Sequence, residues 1–239
     1  MTNNLISHSD FYAYFGDAVD QLPHADSGKT TEFYALSNKI AEQTHQSTLP
    51  LFFLKQTHGD RVSVLTDRIT THCLFQQMGD AIITQEKNIG IGVVTADCLP
   101  IFLFDPEHKA IGVIHAGWKG LSQKIITKTL QAMTESFASQ PEKILAYIGP
   151  AAKACCYEVQ PDFLKNFSGE CVEHAASYRD GKIFFETLTA AIEELLENHI
   201  AGEYINTHHH TCTICTPRYC SFRRDKKNAG RQASIIFLR

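Results

Sequence analysis

Apolar residues in this chain gather in short runs broken by turn-forming clusters, with a few stripes at helical spacing between them. The runs at 99–104 and 110–115 flank the polar stretch Asp105-Pro106-Glu107-His108-Lys109 and predict a hairpin. With its turn centred on Glu107, Cys98 falls within a residue of lying opposite His115. Cross-strand neighbours have Cβ atoms about 4.5–5.5 Å apart. One thiol and one imidazole therefore reach the same end of one hairpin. Further strands are predicted at 51–56, 61–65, 81–84, 90–95, 144–148, 182–185, 204–206 and 233–238. Residues 1–29 read as polar and irregular, with an edge strand near 11–15.

Leu121, Ile125, Leu130, Met133 and Phe137 form an apolar stripe that predicts one helix starting near Lys119. Phe33, Leu36 and Ile40 predict a helix over 31–45, and residues 161–168 a short one. Leu188, Ile192, Leu195 and Leu196 mark another, with Gly202 as its expected end. Strands outnumber helices and do not alternate with them regularly. There is no internal repeat, low-complexity tract or linker. The expected fold class is α/β of the α+β kind, a single domain over 1–239 with mixed β-sheets flanked by helices.

At 239 residues and 44% hydrophobic, the chain can bury a substantial core. A net charge of −4 and the absence of a basic run predict no nucleic-acid partner. No apolar run approaches a membrane span, and the first fifteen residues lack the order of a signal peptide. The expected location is cytoplasmic, with no membrane partner. Eight cysteines there mean thiols for packing, metal binding or catalysis rather than a disulfide framework.

Three groups stand near turns: His58 beside Gly59-Asp60, then Cys98 and His115. A cysteine with two histidines is a catalytic zinc set that leaves a fourth position open. Zinc lowers the pKa of bound water to about 7. Alternatively Cys98 is a nucleophile activated by the His115 imidazole. The two readings compete for one sulfur lone pair. The tract from His208 to Cys220 holds His208, His209, His210, Cys212, Cys215 and Cys220, with one C-x-x-C. A histidine-rich loop with incidental thiols fits it at least as well as a metal knot, which wants two well-spaced ligand pairs. Cys155-Cys156-Tyr157-Glu158 occupies another loop. Arg223, Arg224 and Arg231 with Lys226 and Lys227 form the densest positive cluster, a candidate anion site since guanidinium forks match phosphate oxygens. Asp80, Asp97 and Glu158 are acids able to orient a histidine or move a proton. No dinucleotide fingerprint, phosphate loop or GxSxG elbow occurs.

The motifs KQTHGDRV (55–62), GDAIIT (79–84), TADCLPI (95–101), HAGWKG (115–120), IGPAAKACCYEV (148–159) and CT…SFRRDKKNAGRQ (212–232) occur in this order. Together they closely resemble the YfiH-type family, also called the laccase-domain or multicopper polyphenol oxidase family, over about residues 50–239. The resemblance implies a single mixed α/β domain and an enzyme. Its implied activity is purine nucleoside phosphorolysis of adenosine, inosine, guanosine and S-methyl-5′-thioadenosine, accompanied by adenosine deamination. It implies zinc, with copper less favoured, held by His58, Cys98 and His115. The expected partners are small purine nucleosides and phosphate, and the expected state a monomer or weak homodimer. Arg223, Arg224 and Asp80 are the expected substrate- and phosphate-binding residues. The family's usual T-R-x-G-G-V-S-like segment is here Tyr14-Phe15-Gly16-Asp17-Ala18-Val19, without the arginine, and Cys220 stands where an aromatic residue is common. The fold is also shared with a deamidating toxin built on a Cys/His pair, which keeps a cysteine hydrolase or amidase acting on peptidoglycan precursors as an alternative. Copper oxidation of phenols ranks last, because multicopper clusters need several His-x-His pairs.

Overall fold

The predicted hairpin lies at the centre of the fold. In this computed structural model, which describes residues 4–23, 28–66 and 71–239, β8 (Leu99–Asp105) pairs antiparallel with β9 (Ala110–Ala116). The turn between them is held by the buried Asp105 carboxylate, which accepts the N–H groups of Glu107 and His108. The register sets Pro100 opposite His115 and Leu99 opposite Ala116. Extended by one step, it sets Cys98 opposite Gly117, so Cys98 is two positions from facing His115 rather than within one. Side chains alternate faces along a strand. The observed register therefore makes Cys98 and His115 diagonal neighbours on one face, whereas a slip of one residue would have parted them.

On its other edge β9 pairs antiparallel with β6 (Ala81–Thr84), which runs parallel to β4 (Val62–Leu65). β8 pairs antiparallel with β10 (Leu145–Ile148), itself parallel to β14 (Ile205–Asn206). A second six-stranded sheet has the order β1 (Leu5–Ser7), β2 (Phe11–Phe15), β15 (Gln232–Leu238), β7 (Gly90–Thr95), β3 (Leu51–Lys55) and β5 (Cys73–Met78). Both sheets are mixed.

The two sheets pack face to face. Phe11, Phe15, Ile91, Val93 and Ile236 of one meet Ile82, Phe102, Phe104, Ile111 and Val113 of the other. Phe15 stacks on Phe102 with ring centroids 4.5 Å apart. Burying both faces of β8, β9 and β15 explains why they read as continuous apolar runs instead of alternating ones. Outside the second sheet lies α1 (Thr31–Gln43), with Phe33, Leu36 and Ile40 against Phe53, Ile235 and Phe237. Outside the hairpin sheet lie α2 (Trp118–Ser122), α3 (Ile125–Phe137) and α6 (Thr187–Glu197), covering Ile83, Ile101, Leu103 and Ile114. The result is a mixed α/β fold with helices flanking mixed sheets, as expected from the sequence; its order of helix, sheet, sheet and helix layers is seen only in the structure. A three-stranded sheet, β11 (Glu158–Val159), β13 (Lys182–Phe185) and β12 (Ala176–Arg179), sits to one side with α4 (Pro161–Leu164) and α5 (Gly169–Ala175).

Several expectations are corrected. β2 is an internal strand between β1 and β15, not an edge. The helix expected after Trp118 is two helices, because Lys124 adopts a left-handed conformation (φ 61°) between them. α6 stops at Asn198, where His199 turns left-handed (φ 67°), well before Gly202. The short helix expected over 161–168 spans only Pro161–Leu164. β1, β5, β11, β12, α5 and α7 (Phe222–Asp225) carry no clean periodicity and were not anticipated. Parts of the irregular N-terminal reading, at 1–3 and 24–27, lie outside the described residues.

Candidate active site and metal centre

Asp80 sits just ahead of β6 with no exposed surface. Its carboxylate accepts the backbone N–H groups of Thr57 (3.1 Å), His58 (2.9 Å) and Gly59 (2.9 Å) and the Thr57 hydroxyl (2.7 Å). Those bonds fold the segment after β3 back on itself and hold His58 in the left-handed region, φ 59°. Asp80 Oδ1 also lies 2.8 Å from His115 Nδ1, and the Asp80 carbonyl accepts the His115 backbone N–H at 2.7 Å. An ionised carboxylate accepts only, so His115 Nδ1 carries the proton of that bond and Nε2 is directed away from Asp80. There it meets His58 and Cys98: one ligand atom from each of the three lies within 4.8 Å of the other two. His58 is exposed, Cys98 half-buried and His115 buried, so the three span from the surface inward.

Burial opposes a charge on Asp80, but the His115 imidazole and the loop N–H groups outweigh it and bring its pKa down to about 2. Burial would likewise raise the Cys98 thiol, yet the His115 and His58 imidazoles hold it below the ordinary thiol range. Burial would lower His115, yet the Cys98 sulfur and Asp80 hold it above the ordinary imidazole range. The donor set suits a borderline-soft ion. One thiolate and two imidazoles need bonds of about 2.0–2.3 Å to a shared ion, and ligand atoms all within 4.8 Å of one another fit that requirement.

Gly117 closes in on the same group. A Cβ there would lie 3.2 Å from Cys98 Sγ and 3.4 Å from His58 Cδ2. A Cβ on Gly120 would lie 2.9 Å from the Gly59 carbonyl, so the start of α2 rests directly against the His58 loop.

Asp97, just before Cys98, holds a strained φ of 95°. Its carboxylate accepts from Thr213 Oγ1 (2.6 Å) and the Arg223 backbone N–H (2.6 Å), and its carbonyl from Ala152 N–H (2.9 Å). The C-terminal tract thus fixes the backbone that presents Cys98. Arg223 donates to the Glu158 carbonyl (2.9 Å) and lies 4.8 Å over the Tyr157 ring. Burial, with the nearby Cys98 charge, raises the Tyr157 phenol to about 12, so it keeps its proton at neutral pH. Arg231 is half-buried; burial lowers its pKa, while the Cys98 and Asp97 charges oppose that.

The other sequence candidates separate. Asp80 stands behind His115, with both carboxylate oxygens engaged by the His58 loop and the His115 ring. Every side-chain nitrogen of Arg224 already donates, to Asp225 and to the carbonyls of Thr213, Ile214 and Tyr219. That makes Arg224 a clasp on its own loop, not a free fork for an anion. The Glu158 carboxylate pairs outward with Lys182 at 2.8 Å. The three histidines part: His210 is buried with Nδ1 2.9 Å from the Gly149 carbonyl, His209 leans on Phe15, and His208 is exposed. The buried Cys220 N–H donates to Gln232, while Cys212 and Cys215 gather with Cys155 and Cys156. Arg218 pairs with Asp17 at 2.8 Å, in the segment that lacks the usual family arginine. Sequence reasoning passed over Tyr157, Thr213 and Gly117 as site residues, although Tyr157 and Gly117 lie inside the motifs CCYEV and HAGWKG.

Residues 31–239 match the family described as multi-copper polyphenol oxidoreductase laccase. The chain belongs to this laccase-domain family. Among its relatives, a protein of Aquifex aeolicus (strain VF5) named purine nucleoside phosphorylase is 40% identical over 183 residues, covering 77% of this chain and 81% of that one. A Clostridium acetobutylicum protein named purine nucleoside phosphorylase CA_C1699 is 36% identical over 189 residues, covering 77% and 75%. The laccase-domain fold also appears in the crystal structure of Bacillus licheniformis hypothetical protein YfiH, with a TM-score of 0.83, 24% identity and coverage of 96% and 93%. YlmD from Geobacillus stearothermophilus gives a TM-score of 0.84 at 20% identity, covering 100% and 97%. These two likenesses speak to the fold.

Proposed function

We propose that this laccase-domain chain is a zinc-dependent purine nucleoside phosphorylase, one catalytic domain over 1–239. It would convert adenosine, inosine, guanosine or S-methyl-5′-thioadenosine and phosphate to the purine base and the ribose-1-phosphate or its methylthio counterpart, with adenosine deamination as a second activity. The observation that carries the reading is the convergence of His58, Cys98 and His115 in a chain whose relatives bear the phosphorylase name.

Zinc bound by His58, Cys98 and His115 would supply a Lewis acid that activates oxygen at neutral pH. Such a set also occurs in copper sites, so elemental analysis decides the metal. In phosphorolysis a phosphate oxygen bonds to ribose C1′ as the C1′–N9 bond breaks, and its electron pair passes to the purine, which gains a proton. Asp80 positions His115 and His58 and touches no substrate. Arg223, exposed and lying over the Tyr157 ring, is our candidate for binding phosphate, a part the sequence reading shared with Arg224. Tyr157, protonated at neutral pH and beside Arg223, is our candidate for the proton donor to the leaving purine.

Purified protein is incubated with adenosine, with and without phosphate, before and after chelation. Phosphate-dependent release of adenine and ribose-1-phosphate that chelation abolishes and zinc restores supports the reading. No turnover of any of the four nucleosides with zinc present defeats it.

A second reading rests on the Cys98–His115–Asp80 alignment, which also suits a cysteine hydrolase or amidase. Amidase activity that survives chelation and is lost when Cys98 is alkylated would favour it.

A further inference from the structure

Away from His58, Cys98 and His115, four more cysteines converge. The sulfurs of Cys155, Cys156, Cys212 and Cys215 all lie within 4.8 Å of one another, Cys155 and Cys215 at 3.9 Å. A tetrahedral ion with Zn–S bonds of about 2.3 Å needs sulfur–sulfur edges of roughly 3.8 Å. The pairs come from two loops brought together by the backbone. Ala151 bridges to Cys212, and Thr213 N–H donates to the Ala151 carbonyl at 3.0 Å. The 153–156 turn is held from both sides: Glu186 accepts the Ala154 N–H, and Arg179 donates to the carbonyls of Ala154 and Cys155. The opposite loop is clasped by Arg224 at Thr213 and Ile214. The convergence thus rests on loops that are fixed independently of the thiols. Cys212 is buried, Cys156 half-buried, and Cys155 and Cys215 exposed, which leaves a path for an ion.

We propose that Cys155, Cys156, Cys212 and Cys215 hold one soft divalent cation, zinc, as a closed structural site separate from the candidate active centre. Four thiolates leave no open coordination position, so the site does no chemistry on substrate. Its role follows from what its loops carry. Tyr157 is the residue after Cys156, and Thr213, the residue after Cys212, anchors the Asp97 carboxylate beside Cys98. An ion here would fasten the Tyr157 loop to the loop that fixes Cys98. The C-x-x-C was legible as half of such a site. Its other half, an adjacent pair far away in sequence, was not.

The test uses the full chain and zinc itself. Metal is counted by elemental analysis in reduced protein purified from cells and re-equilibrated with zinc. We compare the native chain, the double variant His58→Ala/Cys98→Ala and the double variant Cys212→Ser/Cys215→Ser. Expected are two zinc per native chain and one in each variant. If only the catalytic reading fails, the native chain holds one zinc, the His58→Ala/Cys98→Ala chain still holds one, and the cysteine variant none. Cobalt loaded into His58→Ala/Cys98→Ala protein, where the four thiols are untouched, should give the intense visible bands of a tetrahedral thiolate site. Those bands should be lost in that protein on adding the single exposed change Cys215→Ser. A His58→Ala/Cys98→Ala chain that is folded and reduced yet holds neither zinc nor cobalt overturns the proposal. So does mass spectrometry that finds the four cysteines paired as disulfides and the same chain metal-free after reduction.

Discussion

Asp80 Oδ1 lies 2.8 Å from His115 Nδ1 and 2.9 Å from the backbone nitrogen of His58. One buried oxygen therefore sets both the ring of one imidazole and the backbone position of the other. Two of the three converging side chains are placed by a residue that does not join them.

Replacing Asp80 with Asn keeps the volume but removes the charge that orders His115. Partners of this kind change metal affinity by about 10–100-fold. Asp80→Asn should weaken zinc by that amount in a competition titration, while circular dichroism stays native. Asp80→Ala should also lower stability, by about 1–3 kcal/mol for each N–H left buried without an acceptor. Unchanged zinc affinity in Asp80→Asn would remove Asp80 from the positioning role.

Asp80 also gives a pH signature. Its folded pKa, about 2, lies below the ordinary 3.8. A depressed carboxylate contributes stability that is complete above the unfolded value and lost as pH falls through the folded one. The difference corresponds to about 2 kcal/mol. Urea midpoints in chelator should fall more steeply for the native chain than for Asp80→Asn between pH 4 and 2. Parallel curves would refute this.

Gly117→Ala places a methyl 3.2 Å from Cys98 Sγ and 3.4 Å from His58 Cδ2. Misplacing catalytic groups by about 1 Å lowers rates by about 10²-fold, and a shift of a few tenths should lower kcat/KM by roughly tenfold. The thermal midpoint should move little, because Gly117 has an ordinary φ of −72°. A fully active variant would show that the group tolerates displacement.

The two adjacent arginines should behave oppositely. Arg223→Ala should raise KM for phosphate by about 10–100-fold, the loss of one or two charged hydrogen bonds, and lower stability by less than about 1 kcal/mol through its exposed bond to the Glu158 carbonyl. Arg224→Ala should lower stability by about 1–2 kcal/mol, because it unclasps Thr213, Ile214 and Tyr219. Equal effects on phosphate KM would contradict the separation seen in their contacts.

Periodicity located α1, α3, α6 and most strands of the two large sheets, because each buries a regular stripe or a continuous apolar run. It missed β5, β12 and α5, which lie half-exposed and obey no clean period. It also merged α2 with α3, since the apolar stripe continues past the left-handed Lys124. The site was legible where chemistry is local: Cys98 and His115 come from one hairpin, and His58 from a turn with a glycine. Asp80, Arg223 and Arg224 were visible as charged residues but not in their positions.

The order of residues alone determined the mixed α/β class and the three ligand-type side chains, because hydrophobic period and turn chemistry are written within a few neighbouring positions. Only the folded chain decided that Cys98 and His115 share a face, that Asp80 lies behind His115, that Arg224 is spent on its own loop and that four cysteines from two loops meet. Those relations depend on strand register and on contacts between distant segments, and no short-range pattern encodes either.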